Sequence, residues 1–212
     1  MASEIDCAQL ADEGWLLQRC RGGDRRAFIG LTSRHMQGVY SIALNMSSSE
    51  GDATRLTQRA FRLTWRRIPS MPADLPFRIL VRRVVVGLAI EKLCSVPPPG
   101  VESLERFLPS FDSNGSLVVA ANEAAELDPL FDRPDIAQRI REALGRIDAS
   151  ERAAFILRHI EQLPLGDAAA ILELPAGSVR TRSHRACCML SGCLRKLASE
   201  SLECGVKAGG AR

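Results

Sequence analysis

Aromatic side chains are scarce in this sequence of 212 residues, of which they make up 5%. Strands favour aromatic and β-branched residues that alternate with polar ones, and no stretch of useful length shows that alternation. A core built mainly from strands is therefore excluded. We expect an all-α fold.

Long hydrophobic runs are also missing. The longest clear apolar stretch covers residues 84–90 and includes a glycine, whereas a membrane-spanning helix needs about 20 apolar residues. Four acidic residues precede the first basic one, which is the opposite of a secretory signal. We expect no membrane insertion and a cytoplasmic location.

The numbers of lysine and cysteine residues are both informative. Only three of the 28 basic residues are lysine, and the arginines that replace it are forked donors suited to phosphates and base edges. The seven cysteines are odd in number and irregular in spacing. In a reducing compartment they are expected to be small apolar thiols rather than a disulfide framework.

The net charge of +3 is unevenly distributed along the chain. Residues 1–94 and 138–212 are basic, whereas residues 95–137 hold eight acidic residues against two basic ones. That acidic stretch opens with Ser95-Val96-Pro97-Pro98-Pro99-Gly100, which is typical of a linker. Two basic helical blocks joined by an acidic, Pro-rich linker are expected, and the isolated chain is expected to be a flexible pair of domains.

Three helices are predicted in the first block. The first is capped by Asp24, the second starts near Asp52, and the third opens around Asp74 and Pro76. In the third helix, apolar residues recur at three- and four-residue steps and predict one buried face. These residues are Phe77, Leu80, Val81, Val84, Val85 and Leu88.

The second block contains a predicted helix-turn-helix. Asp148 and Glu151 have capping-box spacing at the start of a helix that ends before Pro164. A short helix with Leu165 to Leu172 follows, and then a break at 173–177 and a long helix from about Ser178 to Leu197.

The last helix is predicted to have one buried and one basic side. Val179, Ala186, Leu190, Leu194 and Leu197 lie along the expected core side. The other side carries two pairs at four-residue spacing, namely Arg180 with His184 and Thr181 with Arg185. Five basic and no acidic residues between 176 and 197 suit a helix that enters the major groove.

Enzyme signatures are not found in the sequence. There is no Gly-rich phosphate loop, no paired-histidine metal motif, and the three histidines are distributed over three predicted helices. We expect a protein that is not an enzyme, with no cofactor and no metal.

The region from Leu174 to Ala186 resembles the promoter-reading helix of bacterial sigma factors of the extracytoplasmic-function (ECF) group. The resemblance also covers Leu144 to Leu163, the opening motif Gly23 to Phe28, the docking helix Asp52 to Trp65 and the melting helix Phe77 to Leu93. About 150 residues are covered in the family's order, with a linker where the family has one.

The resemblance implies a region-2-like domain at 8–95, a linker at 96–135, a region-4-like helix-turn-helix domain at 136–198 and a tail at 199–212. It implies three partners: core RNA polymerase through its β′ clamp and β flap, promoter DNA, and an anti-sigma factor. The implied site residues fall into three groups. Leu56, Gln58, Phe61 and Trp65 would dock the polymerase; Arg78, Arg82 and Arg83 would lie along the −10 strand; Arg180, Thr181, Arg182, His184 and Arg185 would contact the −35 element.

Two helices depart from the family pattern. The docking helix has Thr54, Arg55 and Arg59 where the family usually has acids, so the charge there is reversed. The melting helix lacks the usual aromatic pair near Leu80 and Arg82, which removes base stacking of about 1 to 3 kcal/mol per base.

These departures leave several hypotheses open. The chain is either a divergent sigma factor or a sigma-like mimic that binds an anti-sigma factor without initiating transcription. A thiol- or metal-responsive variant would use Cys187, Cys188, Cys193 and Cys204. A plain helix-turn-helix repressor would explain the second block and leave the first without a purpose.

Overall fold

The computed structural model describes residues 13–47, 49–72, 75–95, 110–111, 117–118 and 143–208, with side chains up to residue 192. Most of these residues are helical. The helices are α1 (13–21), α2 (Arg25–Met46), α3 (Glu50–Arg67), α4 (Phe77–Ser95), α5 (Ala149–Phe155), α6 (Leu165–Leu172) and α7 (Ala176–Ala208). A 3₁₀ turn at Ile68–Ser70 extends α3, and a π-helical turn at Ile156–Ile160 extends α5.

Two short strands lie within the predicted linker. Ser110–Phe111 (β1) pairs antiparallel with Leu117–Val118 (β2), with Ser110 opposite Val118. This hairpin is the only non-helical regular element in the described part of the chain, so the predicted all-α class is confirmed. Asp74 and the rest of 96–135 lie outside the described residues.

The predicted helix starts are confirmed where they were tied to a capping carboxylate. Asp24 accepts hydrogen bonds from the backbone N–H groups of Arg26 (2.8 Å) and Ala27 (3.3 Å). Asp148 accepts from the N–H of Ser150 at 2.9 Å. In both cases the carboxylate satisfies amides that have no partner within the helix.

The first block is a three-helix core with α1 beside it. α2, α3 and α4 pack against one another, and all six residues of the predicted apolar face of α4 are buried. Phe28 of α2 lies between the rings of Trp65 (4.9 Å between centroids) and Phe77 (6.1 Å). These three aromatic side chains therefore join α2, α3 and α4.

The two blocks share one continuous core, which differs from the flexible pair expected from the linker. α4 packs against α5 and α6, and the same cluster of buried residues runs from Leu17 to Val179. The blocks share a core because α4 is apolar on more than one side. Ile79 and Val86 are buried in addition to the residues of its predicted face. A smaller cluster joins the turn before α5 to α7.

The last helix is longer than predicted at both ends. α7 begins at Ala176 rather than near Ser178, and it continues to Ala208. The sequence after Pro175 contains no proline, and the helix ends before Gly209 and Gly210, which are poor helix formers. The predicted tail at 199–212 is therefore helical over residues 199–208.

Candidate nucleic-acid interface

The turn between α6 and α7 fixes the helix-turn-helix. Glu173 ends α6 in the left-handed conformation (φ 55°, ψ 41°), and both its own N–H and that of Leu174 return to the carbonyl of Ala169. Pro175 cannot continue α6 and precedes the first turn of α7. A non-glycine residue at positive φ carries a conformational cost, so this break is held by the packing on either side of it.

The buried side of α7 determines which residues are left outside. Val179, Ser183, Ala186, Met189 and Leu190 are buried against the rest of the second block. Arg180, Thr181, His184 and Arg185 are exposed. The structure thus places four of the five predicted −35 residues on one solvent-facing surface, which we call the α7 face. Leu194 and Leu197, also predicted for the core, have side chains outside the described part.

Few interactions restrain the arginines of the α7 face. Arg185 approaches the carboxylate of Glu151 at 3.9 Å with its side chain half exposed, and a surface pair at that distance contributes little. No described carboxylate pairs with Arg180, and Thr181 donates to the carbonyl of Gly177 at 3.1 Å. Arg182 is half-buried, and its charge helps to lower the pKa of Asp148. It lies beside the face rather than on it.

Two cysteines lie next to histidines near the α7 face. Cys187 Sγ is 3.4 Å from His159 Nε2, and Cys188 Sγ is 3.7 Å from His184 Nε2. Burial raises the pKa of the Cys187 thiol, which disfavours the reactive thiolate. The described residues contain no group of three metal-ligating side chains. Cys193 and Cys204 of the thiol hypothesis have side chains outside those residues.

Two of the three predicted −10 arginines, Arg78 and Arg83, contact the second block. Arg83 donates to Glu173 Oε1 (2.8 Å) and to the carbonyl of Ala170 (2.7 Å). Arg78 lies 3.4 Å from Asp167 Oδ2. Arg82 is half-buried between the blocks, and burial lowers the pKa of its guanidinium while the nearby Glu161 opposes that change.

The four predicted docking residues of α3 divide between core and surface. Leu56 and Phe61 are buried at 5% and 7% exposure, and Trp65 is half-buried. Only Gln58 is exposed. The outer surface of α3 is instead formed by arginines, and two of them, Arg55 and Arg59, are the positions where the charge departs from the family pattern.

Two contacts and one groove between the blocks were not predicted from the sequence. Arg152 is buried and donates through Nε and Nη2 to the carbonyl of Asn45, at 3.0 and 2.7 Å. Ser41 donates to Glu161 at 2.6 Å. A groove of about 480 Å³ lies where the C-terminal end of α3 and the middle of α4 meet Glu173. Each contact joins residues more than 80 positions apart, so no local pattern signals it.

None of the described helices combines the length and apolar character required to cross a bilayer.

The sequence of the chain is similar to that of known RNA polymerase sigma factors. Residues 137–188 match the model of sigma-70 region 4, a range that includes α6, the turn after it and the first part of α7 with the α7 face. In sequence, the chain is 29% identical over 182 residues to the ECF RNA polymerase sigma-E factor of Escherichia coli K12, covering 84% of this chain and 91% of the relative. It is 23% identical over 177 residues to the ECF sigma factor SigW of Bacillus subtilis, covering 80% and 89%.

The fold is also found among solved structures. CnrH in complex with the cytosolic domain of CnrY is similar with a TM-score of 0.61 and 22% identity, covering 86% of this chain and 97% of that one. Bartonella quintana RpoE in complex with the anti-sigma factor NepR gives 0.51 and 20%, covering 79% and 96%. In sequence, the chain is thus similar to ECF RNA polymerase sigma factors over most of its length, and residues 137–188 match sigma-70 region 4.

Proposed function

We propose that this protein is an ECF sigma factor that directs core RNA polymerase to specific promoters, with the α7 face reading the −35 element. The observation that carries this proposal is the orientation of α7. Its buried residues hold Arg180, Thr181, His184 and Arg185 outward directly behind a helix-turn-helix break. Arginine forks at this position match the paired acceptors of guanine in the major groove.

The remaining roles follow from the same assignment. Gln58 would contact the β′ clamp from the surface of α3, with Leu56, Phe61 and Trp65 supporting that surface from below. The β flap would be contacted by the second block. Arg78, Arg82 and Arg83 would follow the −10 strand once the two blocks separate. The protein would work in the cytoplasm and would catalyse no reaction, because it supplies recognition to the polymerase.

An anti-sigma factor is proposed as a further partner. The similar solved structures named CnrH and RpoE are both complexes, with CnrY and with NepR. The ion pairs of Arg78 and Arg83 with the second block are compatible with a resting state that a protein partner would stabilise.

Run-off transcription tests the proposal. Core polymerase from the source organism is combined with the wild type, with Arg180→Ala, with Arg185→Ala, and with Arg146→Ala as a control at an exposed arginine outside α7. We expect initiation with the wild type and the control, and a loss of about tenfold or more in each α7 variant, because one base-contacting arginine is worth about 1 to 3 kcal/mol. Equal activity of all four proteins would contradict the proposed role of α7.

A sigma-like mimic is the second candidate function. It is favoured by one observation: Arg78 and Arg83 form ion pairs with Asp167 and Glu173 and are therefore not free to contact DNA. Permanganate footprinting of melted promoter DNA separates the two candidates. Binding of core polymerase without melting of any duplex promoter template would favour the mimic.

A further inference from the structure

A cysteine and a histidine from two different helical elements lie in contact on the second block. Cys187 Sγ of α7 is 3.4 Å from Nε2 of His159, which belongs to the π-helical turn after α5. Cys187 is half-buried and His159 is exposed, so an ion from solvent can reach both donor atoms. The proposed roles in polymerase and DNA binding use neither side chain. We call these two residues the Cys–His pair.

Packing on both elements holds the two donor atoms in place. The His159 ring stacks on Phe155, with 5.1 Å between the ring centroids and 29° between the ring planes. On α7, Ala186 and Met189 lie on either side of Cys187 in the sequence, and both are buried. The pair is therefore preformed by the fold of the second block.

The distance between the two donor atoms fits a shared metal ion. Tetrahedral Zn²⁺ has ligand distances of about 2.3 Å to a cysteine sulfur and about 2.0 Å to a histidine nitrogen, which separates these two ligand atoms by about 3.5 Å. The separation in the Cys–His pair is 3.4 Å. Thiolate and imidazole are also ligand types that suit Zn²⁺. The geometry and the chemistry of the pair therefore point to the same class of ligand.

A neighbouring contact provides a matched comparison. Cys188 Sγ lies 3.7 Å from His184 Nε2, but both residues belong to α7, so an ion held there would link no separate elements. Among the residues that the structure describes, no three ligating side chains form a group. The two contacts therefore do not converge on one ion, and Cys188 is a control for Cys187.

We propose that Cys187 and His159 bind a thiophilic divalent cation, Zn²⁺ or an ion of similar chemistry, with water in the remaining coordination positions. This site goes beyond the proposed function and does not depend on it. On binding, the Cys187 thiol releases its proton to solvent and the thiolate bonds to the ion, while neutral His159 supplies the lone pair of Nε2. The ion joins the turn after α5 to α7. No zinc motif is evident in the sequence, because the two ligands are 28 positions apart.

Titration of the reduced full-length protein with Cd²⁺ tests the proposal, because a thiolate bound to Cd²⁺ has a charge-transfer absorption in the ultraviolet. The variants are Cys187→Ser and His159→Gln, with Cys188→Ser and Cys94→Ser as controls; Cys94 is an exposed thiol on α4. The controls should bind within about threefold of the wild type. The two ligand variants should each bind about tenfold more weakly or worse, because even residues outside the ligand shell change metal affinity by about 10- to 100-fold.

Thermal unfolding with Zn²⁺ is a second measurement, which an isolated surface thiol would not affect. An ion that binds the folded arrangement stabilises it, so Zn²⁺ at about a hundredfold excess over its dissociation constant should raise the melting temperature by about 3 °C or more. This increase is expected in the wild type and in Cys188→Ser, and it should be absent in His159→Gln. The affinity should also rise with pH, because binding releases a proton.

Two results would overturn the proposal. Equal Cd²⁺ affinity of the wild type and His159→Gln would show that thiols alone bind the ion. Absence of the charge-transfer absorption in the wild type would show that the short contact is only a hydrogen bond between a thiol and an imidazole. His159 is exposed, so His159→Gln keeps the test valid if Cys187→Ser does not fold. Neither measurement includes polymerase or DNA, so both results would leave the proposed function intact.

Discussion

Replacing Arg152 tests how the two blocks are held together. Its side chain is 2% exposed, its described polar contacts are the two hydrogen bonds to the carbonyl of Asn45, and burial lowers the pKa of its guanidinium to about 10. A depression of that size corresponds to about 3 kcal/mol that disfavours the charged form. Hydrogen bonds from a charged group contribute about 1.5 to 3 kcal/mol each, and the two made by Arg152 share one carbonyl acceptor, so together they roughly offset the cost of burying the charge.

The packing of the side chain should therefore decide the outcome. Arg152→Met keeps most of the volume and removes the buried charge, so we expect it to change the free energy of unfolding by less than about 1 kcal/mol. Arg152→Ala leaves a cavity as well, and truncation of a large buried side chain costs about 2 to 5 kcal/mol. Urea unfolding followed by circular dichroism measures both values.

The comparison of the two variants can refute this reasoning. Equal, large losses of stability in Arg152→Met and Arg152→Ala would mean that the hydrogen bonds to Asn45, rather than packing, hold the blocks together. Unchanged stability in Arg152→Ala would mean that the contact between the blocks does not form in solution. Small-angle scattering on the same samples tests whether the contact forms, because separated blocks have a larger radius of gyration.

Three other outcomes are expected. Gly87→Ala should stabilise the protein by about 1 kcal/mol in thermal unfolding, because position 87 is exposed within α4 and an added Cβ meets no atom within 4 Å; destabilisation would contradict the placement of this residue. The pKa of Asp24 is lowered, chiefly by its hydrogen bond from the Ala27 amide. The ionised carboxylate therefore stabilises the folded protein above the ordinary Asp pKa of about 4, and this stabilisation is lost as pH falls through the lower pKa of the folded state. Asp24→Ala should flatten the fall in melting temperature between about pH 5 and 2, and an unchanged profile would count against the cap. Asp167→Asn/Glu173→Gln should increase the radius of gyration or the affinity for single-stranded −10 DNA by releasing Arg78 and Arg83, with Glu91→Gln as an exposed control; equal values in all three proteins would show that these ion pairs do not restrain the blocks.

Local patterns predicted the features that depend on neighbouring residues. The starts of α2 and α5 follow from Asp24 and Asp148, and the outward orientation of Arg180 and Arg185 follows from the apolar spacing of Val179, Ala186 and Leu190. In each case the residues that determine the structure lie within about ten positions of one another. The helical period is enough to relate them.

Long-range contacts could not be predicted in the same way. Arg78 and Arg83 were predicted to lie along the −10 strand, and their partners Asp167 and Glu173 lie about 90 positions away in the sequence. Burial of Arg152 also depends on packing across the blocks, because arginine is rarely buried and no periodicity marks the exception. The Pro-rich linker indicated separation, but it does not report whether the blocks it joins are complementary.

Footprinting of the assembled holoenzyme tests the central claim most directly. Hydroxyl-radical cleavage of promoter DNA is compared for polymerase with the wild type and with Arg180→Ala/Arg185→Ala, after polymerase binding by both proteins has been measured. The account predicts protection of about one helical turn near −35 with the wild type and its loss in the variant, at equal polymerase binding. Unchanged protection near −35 in the variant would show that another surface reads the promoter.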